Sequence, residues 1–234
     1  MIAFATETQR HSAPVSRNQT LAKRQEVADL LHRGYTEKRI YGIDWRLMAE
    51  EDSSQNLIAL LQLAYSAERA AAYAYRGHWH SVVDEAERLR IKQIEDEEWH
   101  HRELVGEMLA SLGERPSSQR EIRALIIGRA LGFLCHVMGW LAPMYGAGRL
   151  ESRNIREYET AARYARDCGR EDLTDCLLTM AEVEWEHEMY FRSRVLLHPL
   201  GRRLSLWPAP PSKEAIRESF ARESEQTLEL AGVR

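Results

Sequence analysis

The sequence predicts an all-α protein built on a four-helix bundle, and three observations carry that expectation. Apolar residues recur at steps of three and four through most of residues 57–200, the period of a helix with one buried face. A phrase in which a Glu is followed three residues later by a His occurs twice, as Glu98-Trp99-His100-His101 and Glu184-Trp185-Glu186-His187. Helix starts and stops separate the periodic stretches: Asp84 with Glu87, Pro116-Ser117-Ser118, and the turn around Gly169.

Taken in order, residues 1–55 are expected to form an N-terminal extension packing on the bundle. Within it Gln19 to His32 reads as an amphipathic helix, with Leu21, Val27, Leu30 and Leu31 on one side, and Asp52-Ser53-Ser54 reads as a break. The bundle takes residues 56–200. Its first helix covers Leu57 to His80, with a face through Leu61, Ala64, Glu68, Ala71, Tyr75 and Trp79. The second starts near Asp84 and carries Ile91, Ile94, Glu98, His101, Val105, Met108 and Leu112 on one stripe. From Arg123 to Gly148 the chain is notably apolar, which adds a helix before the third ligand-bearing one. That third helix presents Leu141, Met144, Ala147, Glu151, Ile155, Tyr158, Ala162 and Ala165, and the fourth presents Leu177, Met180, Glu184, His187 and Phe191. Residues 201–234 form a C-terminal tail, with another helix beginning near Ser212, Ala215 and Ile216.

Ionisable groups interrupt these apolar stripes, and that interruption points to a metal. A three-residue step brings a Glu and a His to one helical face. Burying an unpaired carboxylate costs several kcal/mol, roughly, so a buried Glu and His need partners, and a metal ion is an effective one. Aligning Trp99 with Trp185 pairs Glu98 with Glu184 and His101 with His187, and only that register continues the apolar stripe; Glu97 and His100 then face elsewhere.

A dinuclear carboxylate site in a four-helix bundle needs one more Glu from each of the other two helices. Glu68 is the only acid on the first stripe, and a hairpin at Asp84 brings it level with Glu98. For the remaining Glu two arguments point to different residues. Local similarity between Glu68-x-Ala-Ala-x-Tyr73 and Glu159-x-Ala-Ala-x-Tyr164 favours Glu159, whereas the apolar stripe favours Glu151. Glu151 is the choice, with Glu159 in reserve. Carboxylates suit iron(III) and imidazole suits iron(II), so the mixed set supports both oxidation states; manganese fits the same ligands.

A net charge of −4 gives no footprint for nucleic acid, and 44% hydrophobic residues permit a proper core. Cys135, Cys168 and Cys176 include no C-x-x-C pair, which argues against a disulfide framework or thiolate site and for a reducing cytoplasm. The N-terminus lacks the basic start and apolar core of a secretory signal. Arg129, His136 and Pro143 interrupt the apolar stretch, so it is expected to lie on a membrane surface or in a core or homodimer contact rather than to span.

From about Leu57 to Leu200 the sequence resembles the demethoxyubiquinone hydroxylases of ubiquinone biosynthesis. The resemblance rests on Ala67-Glu68 followed by Ala70 and Tyr75, Glu98-x-x-His101, Arg115-Pro116, Leu131-Gly132, Gly139 and Met144 ahead of Glu151, and Glu184-x-x-His187. It implies a ferritin-like bundle in which Glu68, Glu98, His101, Glu151, Glu184 and His187 hold two iron ions. It also implies that Tyr158, seven residues after Glu151, supports the ligands from behind, and Glu157 is a further candidate for that role. Glu157 stands beside it where the family usually has His, and Tyr65-Ser66-Ala67-Glu68 replaces the family's His-Ala-Gly-Glu; both departures bear on the substrate more than on the metal.

The expected function is therefore a di-iron monooxygenase that uses dioxygen and an external electron donor to hydroxylate an apolar, quinone-like substrate, with peripheral membrane contact implied by the resemblance. Two alternatives stand beside it: a ferritin-like iron-binding or rubrerythrin-like peroxide-reducing protein, and a metal-free structural bundle.

Overall fold

The structure, a computed structural model, describes residues 45–230, with side chains over 51–226. The helix expected over Gln19 to His32 lies outside the described residues. The bundle lies within a compact unit that begins at Arg46. Among the described residues the elements are α1 (Trp45–Ser81), α2 (Glu85–Ser111), α3 (Ser118–Cys135), α4 (Leu141–Asp167), α5 (Glu171–Leu197), a 3-10 turn (Gly201–Arg203) and α6 (Lys213–Leu230).

Helices α1, α2, α4 and α5 form the bundle, and their buried faces follow the sequence stripes. One apolar cluster joins Leu57 and Leu61 of α1, Val105 and Met108 of α2, Ile155 and Ala162 of α4, and Leu177 and Met180 of α5. A second joins Ala71 and Tyr75, Ile91 and Ile94, Met144, and Phe191 and Val195 of the same four helices. Between the two in sequence, on every helix, stands an acid or an acid–His pair. The hydrophobic effect thus clamps each helix above and below a polar layer.

Local signals set the helix ends. Asp84 caps α2 by accepting from the Glu87 amide at 2.9 Å, as its position suggested. The Glu87 side chain does not reach back to the cap; it accepts from Trp140 Nε1 at 2.7 Å and Arg194 Nε at 2.8 Å. Gly113 and Gly169, both at positive φ, end α2 and α4 where a side chain would be strained.

Two expectations change. Asp52-Ser53-Ser54 lies inside α1, because Ser and Asp cost only a few tenths of a kcal/mol, roughly, in a helix whose packing is supplied elsewhere. At His136 the sequence favours a packed histidine over a metal ligand, but the residue is exposed in the connection after α3.

Helix α3 lies against the bundle through its smallest residues. Its buried positions are Ala124, Gly128 and Gly132, one turn apart. A Cβ on Gly128 would meet the Ala70 carbonyl at 2.6 Å, and one on Gly77 would meet the Gly132 carbonyl at 2.2 Å. At its start, Glu121 accepts from Arg102 Nη2 at 2.6 Å, Arg69 Nη1 at 2.9 Å and Ser66 Oγ at 2.9 Å. Its bulky residues point outward: Ile122, Ile126, Ile127, Leu131 and Phe133 are all exposed.

After α5 the chain folds back on the bundle rather than trailing away. Trp207 is buried, with its ring on Gly148 and its Nε1 donating to Glu188 at 2.6 Å. Trp185 Nε1 donates to the Pro211 carbonyl at 2.7 Å, Ile216 of α6 is buried, and Arg217 reaches Glu182 at 2.6 Å.

Candidate metal centre

The polar layer brings Glu68, Glu98, His101, Glu151, Glu184 and His187 together. Their ligand atoms form two overlapping groups, each within 4.8 Å: Glu68, Glu98, His101 and Glu184 in one, and Glu98, Glu151, Glu184 and His187 in the other. Glu98 and Glu184 belong to both, so they sit where bridging ligands would. All six side chains are buried, and Glu98, Glu151, Glu184 and His187 are fully so. Glu159, the reserve for Glu151, is half-buried on α4 and outside both groups.

Within the layer many buried polar atoms find no hydrogen bond. Both oxygens of Glu98 and of Glu184, Glu68 Oε2, and Nδ1 of His101 and of His187 are all without one. His101 Nδ1 lies 3.0 Å from Glu184 Oε1, and His187 Nδ1 lies 3.3 Å from Glu98 Oε1, close enough for charge attraction but not aligned for hydrogen bonding. Orphaned buried polar groups cost about 1–3 kcal/mol each. A metal ion facing these atoms removes that cost. Four carboxylates also balance two divalent cations, so the residues present fit a dinuclear metal centre.

The protonation of the bare cluster shows the same crowding. Burial, with the neighbouring Glu98 and Glu184, pushes Glu68 well above the usual carboxylate range. Burial and Glu184 do the same to Glu151. For Glu184 burial opposes the anion, but the imidazoles of His101 and His187 outweigh it and hold its carboxyl low. Burial likewise opposes a charged His187, yet Glu184, Glu97 and Glu98 raise it well above the ordinary histidine value.

Other side chains hold the outer edges of the ligands. The Tyr158 hydroxyl donates to Glu68 Oε1, and the Tyr75 hydroxyl donates to Glu151 Oε1. Asn154 Nδ2 donates to Glu151 Oε2 at 2.8 Å. Glu157 is half-buried at the edge of α4 and pairs with Arg153 at 2.5 Å rather than with a ligand. Glu97 does not face elsewhere: its carboxylate meets His187 Nε2 at 2.7 Å. The two phrases are thus not used alike. Trp99 Nε1 points at Glu95 at 3.4 Å, while Trp185 binds the tail, so neither indole reaches the ligands.

Sequence reasoning missed Glu97, Asn154 and the hydroxyl role of Tyr75. One signal for Tyr75 was present: it follows Glu68 by seven residues, as Tyr158 follows Glu151. Asn154 follows Glu151 by three, a spacing that places both on one helical face.

Fold and site together define a ferritin-like bundle with a buried carboxylate–histidine cluster that fits metal binding. The family model of ubiquinone biosynthesis protein COQ7 matches residues 55–190, and the chain belongs to that family of ferritin-like di-iron hydroxylases. No curated protein and no solved structure shows significant similarity to it.

Proposed function

We propose that the six converging residues hold two iron ions and that the protein hydroxylates an apolar, quinone-like substrate at this centre. The observation that carries the reading is the layer of orphaned carboxylate and imidazole atoms between two apolar clusters, arranged as two groups that share Glu98 and Glu184. Iron held there supplies the activation of dioxygen. Hydroxylation inserts one oxygen atom into a C–H bond and releases the other as water, which consumes two electrons and two protons; an external donor provides the electrons. The chain's own part is to exclude water and hold the ligands. Tyr75, Asn154 and Tyr158 orient the terminal carboxylates, while the apolar clusters keep the layer dry.

A small cleft between α1 and α4 reaches the edge of the polar layer. Leu60, Leu61, Ala64 and Ala161 line it, Glu68 and Tyr158 lie on its wall, and its free space of about 10 Å³ fits one water-sized molecule. The exposed apolar side of α3 supports delivery from a bilayer surface, because a contiguous apolar patch of this kind marks a membrane or partner contact. Among the described residues no helix is long and apolar enough to cross a membrane.

The test has two stages. Purified protein supplemented with iron or manganese is expected to hold two ions per chain, and Glu98→Ala to lose them; well under one ion per chain, with Glu98→Ala unchanged in stability, would discard the metal reading. The loaded protein, given reductant and oxygen, is then expected to add a hydroxyl to a quinone precursor lacking it. Peroxide consumption without substrate oxidation would assign it instead to peroxide reduction.

A further inference from the structure

The two groups of ligands differ on their outer sides, at the terminal glutamates, where Asn154 serves Glu151 but no amide serves Glu68, and at one histidine. His187 turns Nδ1 toward Glu98 and Glu184 and Nε2 toward Glu97, 2.7 Å away. Glu97 is itself held, accepting from Gln93 Nε2 at 2.8 Å and Arg90 Nη1 at 3.1 Å. A run of contacts therefore leads from the α2 surface through Glu97 to a buried imidazole on α5. The corresponding position of α5 carries no acid. The residue before Glu98 is Glu97, whereas the residue before Glu184 is Val183, which offers no acceptor. His101 instead packs edge-on against Tyr158, with ring centroids 6.0 Å apart.

We infer that Glu97 is a positioning residue that makes the two metal positions unequal, fixing His187 for coordination through Nδ1 so that the Glu98–Glu151–Glu184–His187 position binds its ion more tightly than its neighbour. This rests on the two-metal reading proposed above. An acceptor at Nε2 keeps the proton on that nitrogen and leaves the Nδ1 lone pair for the metal. An anionic acceptor also makes the imidazole a stronger donor. The position with His187 thus carries one more carboxylate behind its ligands than the position with His101.

Equilibrium titration of the metal-free protein with Co(II), followed by visible absorption and by competition with a chelating dye, tests this without reference to turnover. The wild type is expected to fill in two steps. Glu97→Ala weakens one step by about 10–100-fold and leaves the other within a factor of about two, the usual range for loss of such a partner. Glu97→Gln, which keeps an acceptor oxygen but not the charge, falls between them and serves as the measurement if the alanine variant does not fold. In a His187→Ala background, Glu97→Ala is expected to add nothing, and in a His101→Ala background it keeps its full effect. Two unchanged steps in both Glu97 variants, or equal losses in the two backgrounds, would overturn the inference while leaving the metal centre intact. A wild type that takes up no metal would overturn the two-metal reading itself.

Discussion

Tyr75 of α1 donates its hydroxyl to Glu151 of α4, and the mirror of that contact joins Tyr158 of α4 to Glu68 of α1. Each tyrosine follows the glutamate of its own helix by seven residues and serves the glutamate of the other. Seven residues is two turns, so the phenol lies on the same face as its own glutamate but about 10 Å further along the helix. Two antiparallel helices in register bring each phenol opposite the other's acid.

Removing one of these phenols is expected to loosen one terminal ligand. A hydrogen bond to a charged group contributes about 1.5–3 kcal/mol, so Tyr75→Phe should reduce metal affinity by about tenfold or more with little change in helix content. Chelator competition alongside circular dichroism measures both. An affinity equal to wild type would show that the carboxylate of Glu151 is oriented by Asn154 alone.

A pH dependence follows from His78. It is buried beside Tyr75 and Phe191, ring centroids 6.4 and 5.9 Å away, and burial lowers its pKa to about 4. Above the free value of about 6.5 it is neutral folded and unfolded, and contributes nothing. As pH falls below that, the unfolded chain takes a proton that the folded protein refuses, so stability falls until about pH 4, where the folded form is protonated too. The loss across that window is about 3 kcal/mol. Urea midpoints of the metal-free protein at pH 7.5 and pH 5 should fall closer together in His78→Phe than in the wild type. Equal drops would assign the acid sensitivity to other groups.

The segment after α5 should behave as part of the folded core. Trp207 is 8% exposed, packs edge-on to Tyr145 at 5.1 Å, and shares Glu188 with Arg192. Trp207→Ala is expected to cost about 3–5 kcal/mol, because it opens a large void and removes a donor from a buried carboxylate. Urea unfolding reads this directly; a change below about 1 kcal/mol would mean that the tail docks without supporting the bundle.

The outward side of α3 gives a prediction for lipid. Ile126 and Phe133 are 62% and 68% exposed and make few demands on the fold. Replacing both with Ser should lower co-sedimentation with anionic phospholipid vesicles severalfold, since each bulky apolar side chain gains about 1.5–3 kcal/mol on full burial. Thermal stability should be unaffected. Undiminished vesicle binding would move the contact to another face.

The bundle and its six convergent residues were legible because helical periodicity reports burial directly, and Glu68, Glu98, Glu151 and Glu184 each occupy a position that the stripe requires to be apolar. Glu97 was not legible for the same reason. One residue off the stripe is about 100° around the helix, which reads as solvent in an isolated helix but as the flank of a neighbour in a bundle. The Tyr75 contact spans 76 residues, and no local pattern reveals a partner at that separation. Asp52-Ser53-Ser54 was misleading because turn-forming residues report local preference only, and α1 continues through them. The docking of Trp207 depends on the gap left by Gly148, which a glycine in sequence does not distinguish from a flexible joint.

The glycine contact between α1 and α3 makes α3 an inverted helix. With Gly128 and Gly132 pressed against the backbone of α1, the smooth side must face the protein, and whatever bulk the helix carries can go only outward. Exchanging the two sides is sterically forbidden, so the greasy exterior is tied to the tightness of the seam. If that exterior meets lipid as proposed, then in plain buffer without lipid or detergent the same surface on another copy is the nearest apolar substitute. Self-association in dilute salt solution would then record an empty place for lipid rather than a designed oligomer.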